Sequence, residues 1–190
     1  MSSTRMTVHW QELRDAAVRA TGRGWPVVPG TYLGTDRRWH GRQDATRLCP
    51  ISETWQQAPV TDPERAYALW SEHPYGVLLV CGRGVDVLEL PHRMMGLLSA
   101  LQSAVPVAVT GSPPRFLVFT ATDPDVLPPA LRQVRLNGAG SWIALPPTAT
   151  ELVLTQRWWT TPAEDQLRLL PTQVVLDALA SAGLGGDDDE

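Results

Sequence analysis

Val77-Leu78-Leu79-Val80-Cys81-Gly82-Arg83-Gly84-Val85-Asp86-Val87-Leu88-Glu89-Leu90-Pro91 is the stretch on which the fold turns. Two runs of β-branched and aliphatic residues flank Gly82-Arg83-Gly84, a pattern that predicts paired strands at 76–81 and 85–90 joined by a hairpin turn. The glycines do not make a phosphate loop, because the third glycine and the Lys-Ser/Thr of that motif are missing. The second run carries the only acids of the stretch, Asp86 and Glu89. Side chains alternate across a strand, so an i, i+3 pair points to opposite faces and cannot readily share one cation.

Further strands are expected at 105–110, 115–121, 132–136 and 141–145, with a helix from His92 to Ser103. Upstream, Trp10, Leu13, Ala17 and Ala20 recur at helical spacing, which predicts a helix over 8–20 and a short strand in Trp25-Pro26-Val27-Val28-Pro29. Thr61-Asp62-Pro63-Glu64 signals a helix start, with Thr61 as the cap, Pro63 in the first turn and Glu64 closing a capping box. Residues 30 to 60 are rich in Gly, Pro, Arg and Thr and read as a long loop. Beyond Pro146-Pro147, helices are expected near 163–169 and 172–182. Strands and helices mix without βαβ repetition, so the fold class is α+β, with a mixed, mainly antiparallel central sheet flanked by helices.

Three segments carry a family likeness. They are Val77 to Pro91, then Thr110-Gly111-Ser112-Pro113-Pro114-Arg115-Phe116-Leu117-Val118-Phe119, then Asn137-Gly138-Ala139-Gly140-Ser141-Trp142-Ile143-Ala144-Leu145-Pro146-Pro147. With Gly24-Trp25-Pro26-Val27-Val28-Pro29 and the Thr61-Asp62-Pro63 helix start, this order resembles the N-terminal domain of bifunctional DNA primase/polymerases of the archaeo-eukaryotic primase superfamily. The likeness runs over roughly residues 10 to 150. It implies a primase-polymerase-like domain over 1–150; the residues beyond it read as a helical extension packed on it over 151–184 and a disordered acidic tail at 185–190.

The same resemblance implies a nucleotidyl-transfer site in which carboxylates hold divalent metals, and here the chain departs from the pattern. Glu89 falls at the first metal-binding acid, Pro91 at the second, Phe116 at the histidine that contacts nucleotide phosphates, and Arg135 near the third acid. Glu89, with Asp86 beside it, is what remains as a catalytic candidate, and no metal site is expected. Either acid also reads as a solvated strand-face carboxylate or an arginine's partner. Relatives with a zinc loop bring several cysteines, whereas residues 30–60 hold Cys49 and His40 alone, so zinc is not expected.

The reading that follows is a catalytically degenerate primase-polymerase-like domain that binds a nucleotide or single-stranded nucleic acid, or a replication or regulatory protein. The rival is an active enzyme that recruits Asp86, Glu89 and either Asp44 or Asp123 in an altered site with Mg²⁺ or Mn²⁺; otherwise no cofactor is expected. Arg115 and Arg135 are the nucleotide-binding candidates on the strands, and Arg37, Arg38 and Arg42 those in the 30–60 loop, where Trp39 and His40 interleave with them. The bland reading of each is an exposed charge that confers solubility. A third reading makes the eight tryptophans fillers of cores and of one interface, with Trp158-Trp159 as an exposed patch.

All sixteen basic residues are arginine, and the net charge of −4 is carried by Asp187, Asp188, Asp189 and Glu190. The body is therefore about neutral, without the bulk basicity of a dedicated nucleic-acid binder, so binding would depend on a local patch. Two cysteines without disulfide spacing, no apolar run of spanning length and no leader pattern predict a cytoplasmic protein that does not enter the membrane.

Overall fold

The computed structural model describes residues 2–101, 105–123, 133–151, 156–161 and 169–184, with side chains withheld at 2–8, 99–100 and 183–184. Two compact units make up the chain, one from Met1–Val80 with Trp142–Arg157, the other from Cys81–Ser141 with Trp158–Glu190. The architecture is α+β, with antiparallel sheets flanked by helices.

In the first unit, α1 (Ser2–Gly22) leads into β1 (Val27–Gly30). α2 (Pro63–Glu72) leads into β4 (Gly76–Val80). β4 pairs antiparallel with β1 on one side and with β9 (Trp142–Ala144) on the other. Every residue of β4 is buried, which fits the central position of an unbroken apolar run. Val28, Leu48, Leu78, Val80 and Ala144 form the core on one face of this sheet, with Trp39, Trp55 and Trp142 packed against it. α1 and α2 lie together, joined by a bond from Trp10 Nε1 to the Trp70 carbonyl at 2.6 Å and by the Arg14 guanidinium 4.7 Å above the Tyr67 ring.

Residues 30–60, expected to be a loop, contain regular structure. β2 (Tyr32–Leu33) and β3 (Trp39–His40) form a two-stranded antiparallel hairpin. A 3₁₀ turn follows at Trp55–Gln57, and isolated bridges tie Pro50 to Gly30 and Val60 to Val27. Two-residue strands are too short to show a period in sequence, and the bridges are contacts across 20 or more residues, so composition alone read the segment as irregular. The start of α2 also differs by one position. Asp62, not Thr61, is the cap: its carboxylate accepts from the Arg65 amide at 2.7 Å, with Pro63 in the first turn.

The second unit is built on a five-stranded sheet in the order β10-β6-β7-β5-β8. The strands are β5 (Val85–Pro91), β6 (Val107–Thr110), β7 (Arg115–Ala121), β8 (Arg135–Asn137) and β10 (Arg157–Thr160). β5 pairs with β7 and β8, so the anticipated β4–β5 hairpin does not form; the two strands belong to different sheets. Gly82-Arg83-Gly84 instead lies at the start of the second unit, which begins at Cys81. Gly82 has φ +80°, and a Cβ there would stand 2.3 Å from the Ala139 Cα, so only glycine fits both the backbone and the space.

Strand alternation splits the sheet into two faces. Leu88, Leu90, Phe116, Val118, Val107 and Val109 share one face and pack on the 3₁₀ helix His92–Ala100, through Met94 and Leu98, and on α3 (Thr172–Leu184), through Val175, Leu176 and Leu179. Each such side chain contributes about 1.5–3 kcal/mol on burial, which makes this the dominant cohesion of the unit. Trp158 and Trp159, alternating on β10, reach both faces: Trp158 meets Phe119 at 5.2 Å and Trp159 meets Phe116 edge-on at 5.4 Å. Only Trp159, 49% accessible, is an exposed tryptophan among the described residues. The helix expected near 163–169 lies outside the described residues.

Candidate nucleotide-binding face

The register of β5 decides where its two acids go. Glu89 stands opposite Leu117 on β7 and opposite Arg135 on β8, and Pro91 stands opposite Arg115. Glu89, Arg115 and Arg135 therefore share one face of the sheet at its β8 side. Arg115 Nη1 donates to Glu89 Oε1 at 2.5 Å, with the carboxylate side chain 14% exposed and the guanidinium 57% exposed. Among the described residues of these strands, this face carries one acid and two arginines. Arg135 is exposed.

Asp86 has the opposite parity and lies at 3% exposure. Its Oδ1 accepts from the Gly82 amide at 2.9 Å and the Thr122 hydroxyl at 3.2 Å. Burial pushes its carboxyl above the ordinary value, and those two bonds pull against the rise. The residue anchors the turn that only Gly82 can make, a structural duty that a sequence search for acids does not separate from a catalytic one. Thr122, which completes the anchor, carries no motif and went unnoticed in the sequence.

Phe116, which falls at the family's histidine position, is buried in the second unit. It pairs with Leu90 and Val109 and faces the helical core, with His92 stacked at 6.1 Å. The neighbour that faces Glu89 is Arg115. A cation does stand over this face, one position before the one that letter matching selects, because the face a residue takes is fixed by ladder parity.

The loop arginines belong to the first unit. Arg37 sits in the β2–β3 turn at φ +62° and is exposed, as is Arg38, whose amide donates to Asp36 Oδ1 at 3.1 Å. Arg42 is paired with Glu53 at 2.7 Å. Trp39, the aromatic within the run, packs against the first unit's core.

The chain matches the family described as bifunctional DNA primase/polymerase, N-terminal, over residues 17–173. It is a member of that family. No curated protein matches it.

The family's chemistry calls for divalent cations, so the donor set can be tested against them. A pair of cations needs several carboxylate oxygens converging from one face. Here Glu89 is engaged by Arg115, Arg135 stands directly opposite it, Pro91 brings no ligand atom and Asp86 is on the other face. Among the described residues, no three of His, Cys, Asp and Glu are grouped to hold a metal ion. The described residues do not fit the pair of cations. Also among the described residues, no helix is long and apolar enough to cross a membrane.

Proposed function

We propose that this primase-polymerase domain has exchanged two-cation chemistry for anion binding, and that it acts as a nucleotide- or nucleic-acid-binding or regulatory module. The observation that carries the reading is the ion pair between Glu89 and Arg115 with Arg135 across the ladder. A carboxylate held by a guanidinium is a poor partner for Mg²⁺ or Mn²⁺, while two arginines flanking one acid leave a net cation for phosphate. Arg115 and Arg135 contact the phosphates of a nucleoside triphosphate or of a single-stranded end. Arg37 and Arg38 supply a second exposed cationic surface for a nucleic-acid backbone. Membership of the family supports a nucleic-acid ligand class.

The test has three arms on the whole chain. Isothermal titration with a nucleoside triphosphate without metal gives binding that Arg115→Ala and Arg135→Ala each weaken. Filter binding with single-stranded DNA shows retention that falls steeply with salt. Primer extension with Mg²⁺ and with Mn²⁺ gives no product. Extension that disappears in Glu89→Ala overturns the proposal in favour of an active polymerase with an altered site. Silence in both binding arms removes the nucleotide and leaves a protein partner as the module's ligand.

A further inference from the structure

Three of the chain's four histidines, His9, His40 and His73, line a single cleft of about 550 Å³ in the first unit. They come from α1, from the β2–β3 hairpin and from the residue that ends α2, so folding assembles the cleft from distant stretches. Trp10 and Leu13 of α1 supply apolar wall, and the volume is in the range of small-molecule sites.

Planar rings dominate the interior. Tyr32 lies nearly parallel to His40 (centroids 5.6 Å, planes 24° apart) and to His73 (6.3 Å, 18°). Tyr75 braces both, edge-on to Tyr32 at 5.9 Å and to His73 at 5.3 Å. Three near-parallel rings set a direction along which another flat ring can stack.

The lining carboxylate is Asp36. Asp36 Oδ1 takes a bond from His40 Nε2 at 2.9 Å and one from the Arg38 amide at 3.1 Å. Both bonds fall on the same oxygen, leaving Oδ2 as the one the carboxylate offers a ligand. The His40 bond, followed by the Arg38 amide, holds the Asp36 carboxyl below its ordinary value, so it is ionised and the Nε2 nitrogen carries the proton. The arrangement depends on Gly34, where a Cβ would lie 2.6 Å from His40 Nε2 and 2.7 Å from Asp36 Oδ1. No lysine exists in the chain, and no arginine lines the cleft. A lining carboxylate favours a flat ring that donates a hydrogen bond.

We infer that this cleft is a binding site for a nucleobase, which stacks along the His40–Tyr32–His73 rings and donates an N–H from its edge to Asp36. The site is separate from the phosphate reading of Arg115 and Arg135 and does not rest on it.

The probes are the nucleosides adenosine, cytidine and uridine, which carry no phosphate, titrated into the full chain by calorimetry and by ligand-observed NMR. Binding of millimolar strength or better is expected, with the ring protons of the nucleoside showing the closest contact. His73→Ala and Asp36→Ala each weaken it by about 5- to 100-fold, the range of one lost base–aromatic stack. Both side chains are exposed, so circular dichroism and melting stay near those of the parent, and these two variants decide. Gly34→Ala, which pushes on the Asp36–His40 pair, also weakens binding. No binding by the intact chain, or binding that His73→Ala and Asp36→Ala leave unchanged, overturns the inference. Nucleoside binding that is lost in Arg115→Ala while intact in His73→Ala overturns it too, by moving the base to the other face.

Discussion

Replacing Glu89 by glutamine should tighten the hold of this domain on a triphosphate. In the native chain the Glu89 carboxylate accepts from Arg115 at 2.5 Å, so a phosphate approaching that guanidinium also approaches a negative charge. At roughly 6 Å, the repulsion between unit charges is about 0.7 kcal/mol in water and about 3 kcal/mol at an effective dielectric constant of 20. Arg115 is 57% exposed, which places the interaction near the watery limit. About 1 kcal/mol remains, or about a fivefold gain in affinity. Glutamine keeps a side-chain oxygen that accepts from Arg115, so the guanidinium stays in place while the charge is removed. Calorimetric titration of triphosphate into the two proteins at low salt measures the gain, and repetition near 1 M salt should erase it because screening then acts within about 3 Å. A Glu89 that ligates metal gives the reverse, a loss of Mg²⁺- or Mn²⁺-dependent binding in Glu89→Gln. Equal or weaker binding by the variant refutes the reasoning, as does a gain that persists at high salt.

Asp86→Asn tests the turn anchor through pH. Burial raises the folded value of this carboxyl above its ordinary 3.8, so its favourable contribution is complete below that pH and is lost as pH rises through the raised value. The melting temperature of Asp86→Asn relative to the parent should therefore climb across that window and then level; a constant difference removes the account. Cys81 is buried, its thiol pushed up to about 12 by desolvation, whereas Cys49 is half-buried. A thiol reagent at mild alkaline pH should label Cys49 in the native protein and reach Cys81 only after denaturation; comparable native rates would show the second unit to be open there. Asp62→Ala should cost about 1 kcal/mol in urea unfolding and Thr61→Ala distinctly less, and the opposite ranking would return the cap to Thr61.

Much of the local structure was legible. The runs around Val77 and Val85, the hydrophobic spacing of the first helix and Pro63 at the start of α2 each carry a short-range signal. So does the separation of Asp86 from Glu89, because the two-residue period of a strand needs no tertiary information. The family likeness was legible as well, since it lies in the order of short motifs and their residues. What escaped was pairing. Nothing local in Gly82-Arg83-Gly84 says whether the strands on either side bond to each other or to Val27–Gly30 and Arg115–Ala121. The β2–β3 hairpin was hidden by strands of two residues each. The cleft was hidden by distance, since Tyr32 and His73 come from separate elements.

Sequence by itself determined the residue types available to the site: one acid on the Glu89 parity of β5, a proline two residues on, and an arginine near where a third acid would stand. Tertiary structure alone decided which of them meet. Ladder register turned Arg115 toward Glu89 and Phe116 into the core, and folding gathered His9, His40 and His73 around Tyr32. The physical reason is that alternation along a strand is a property of covalent geometry, whereas register and cleft assembly follow from burying apolar surface contributed by segments far apart in the chain.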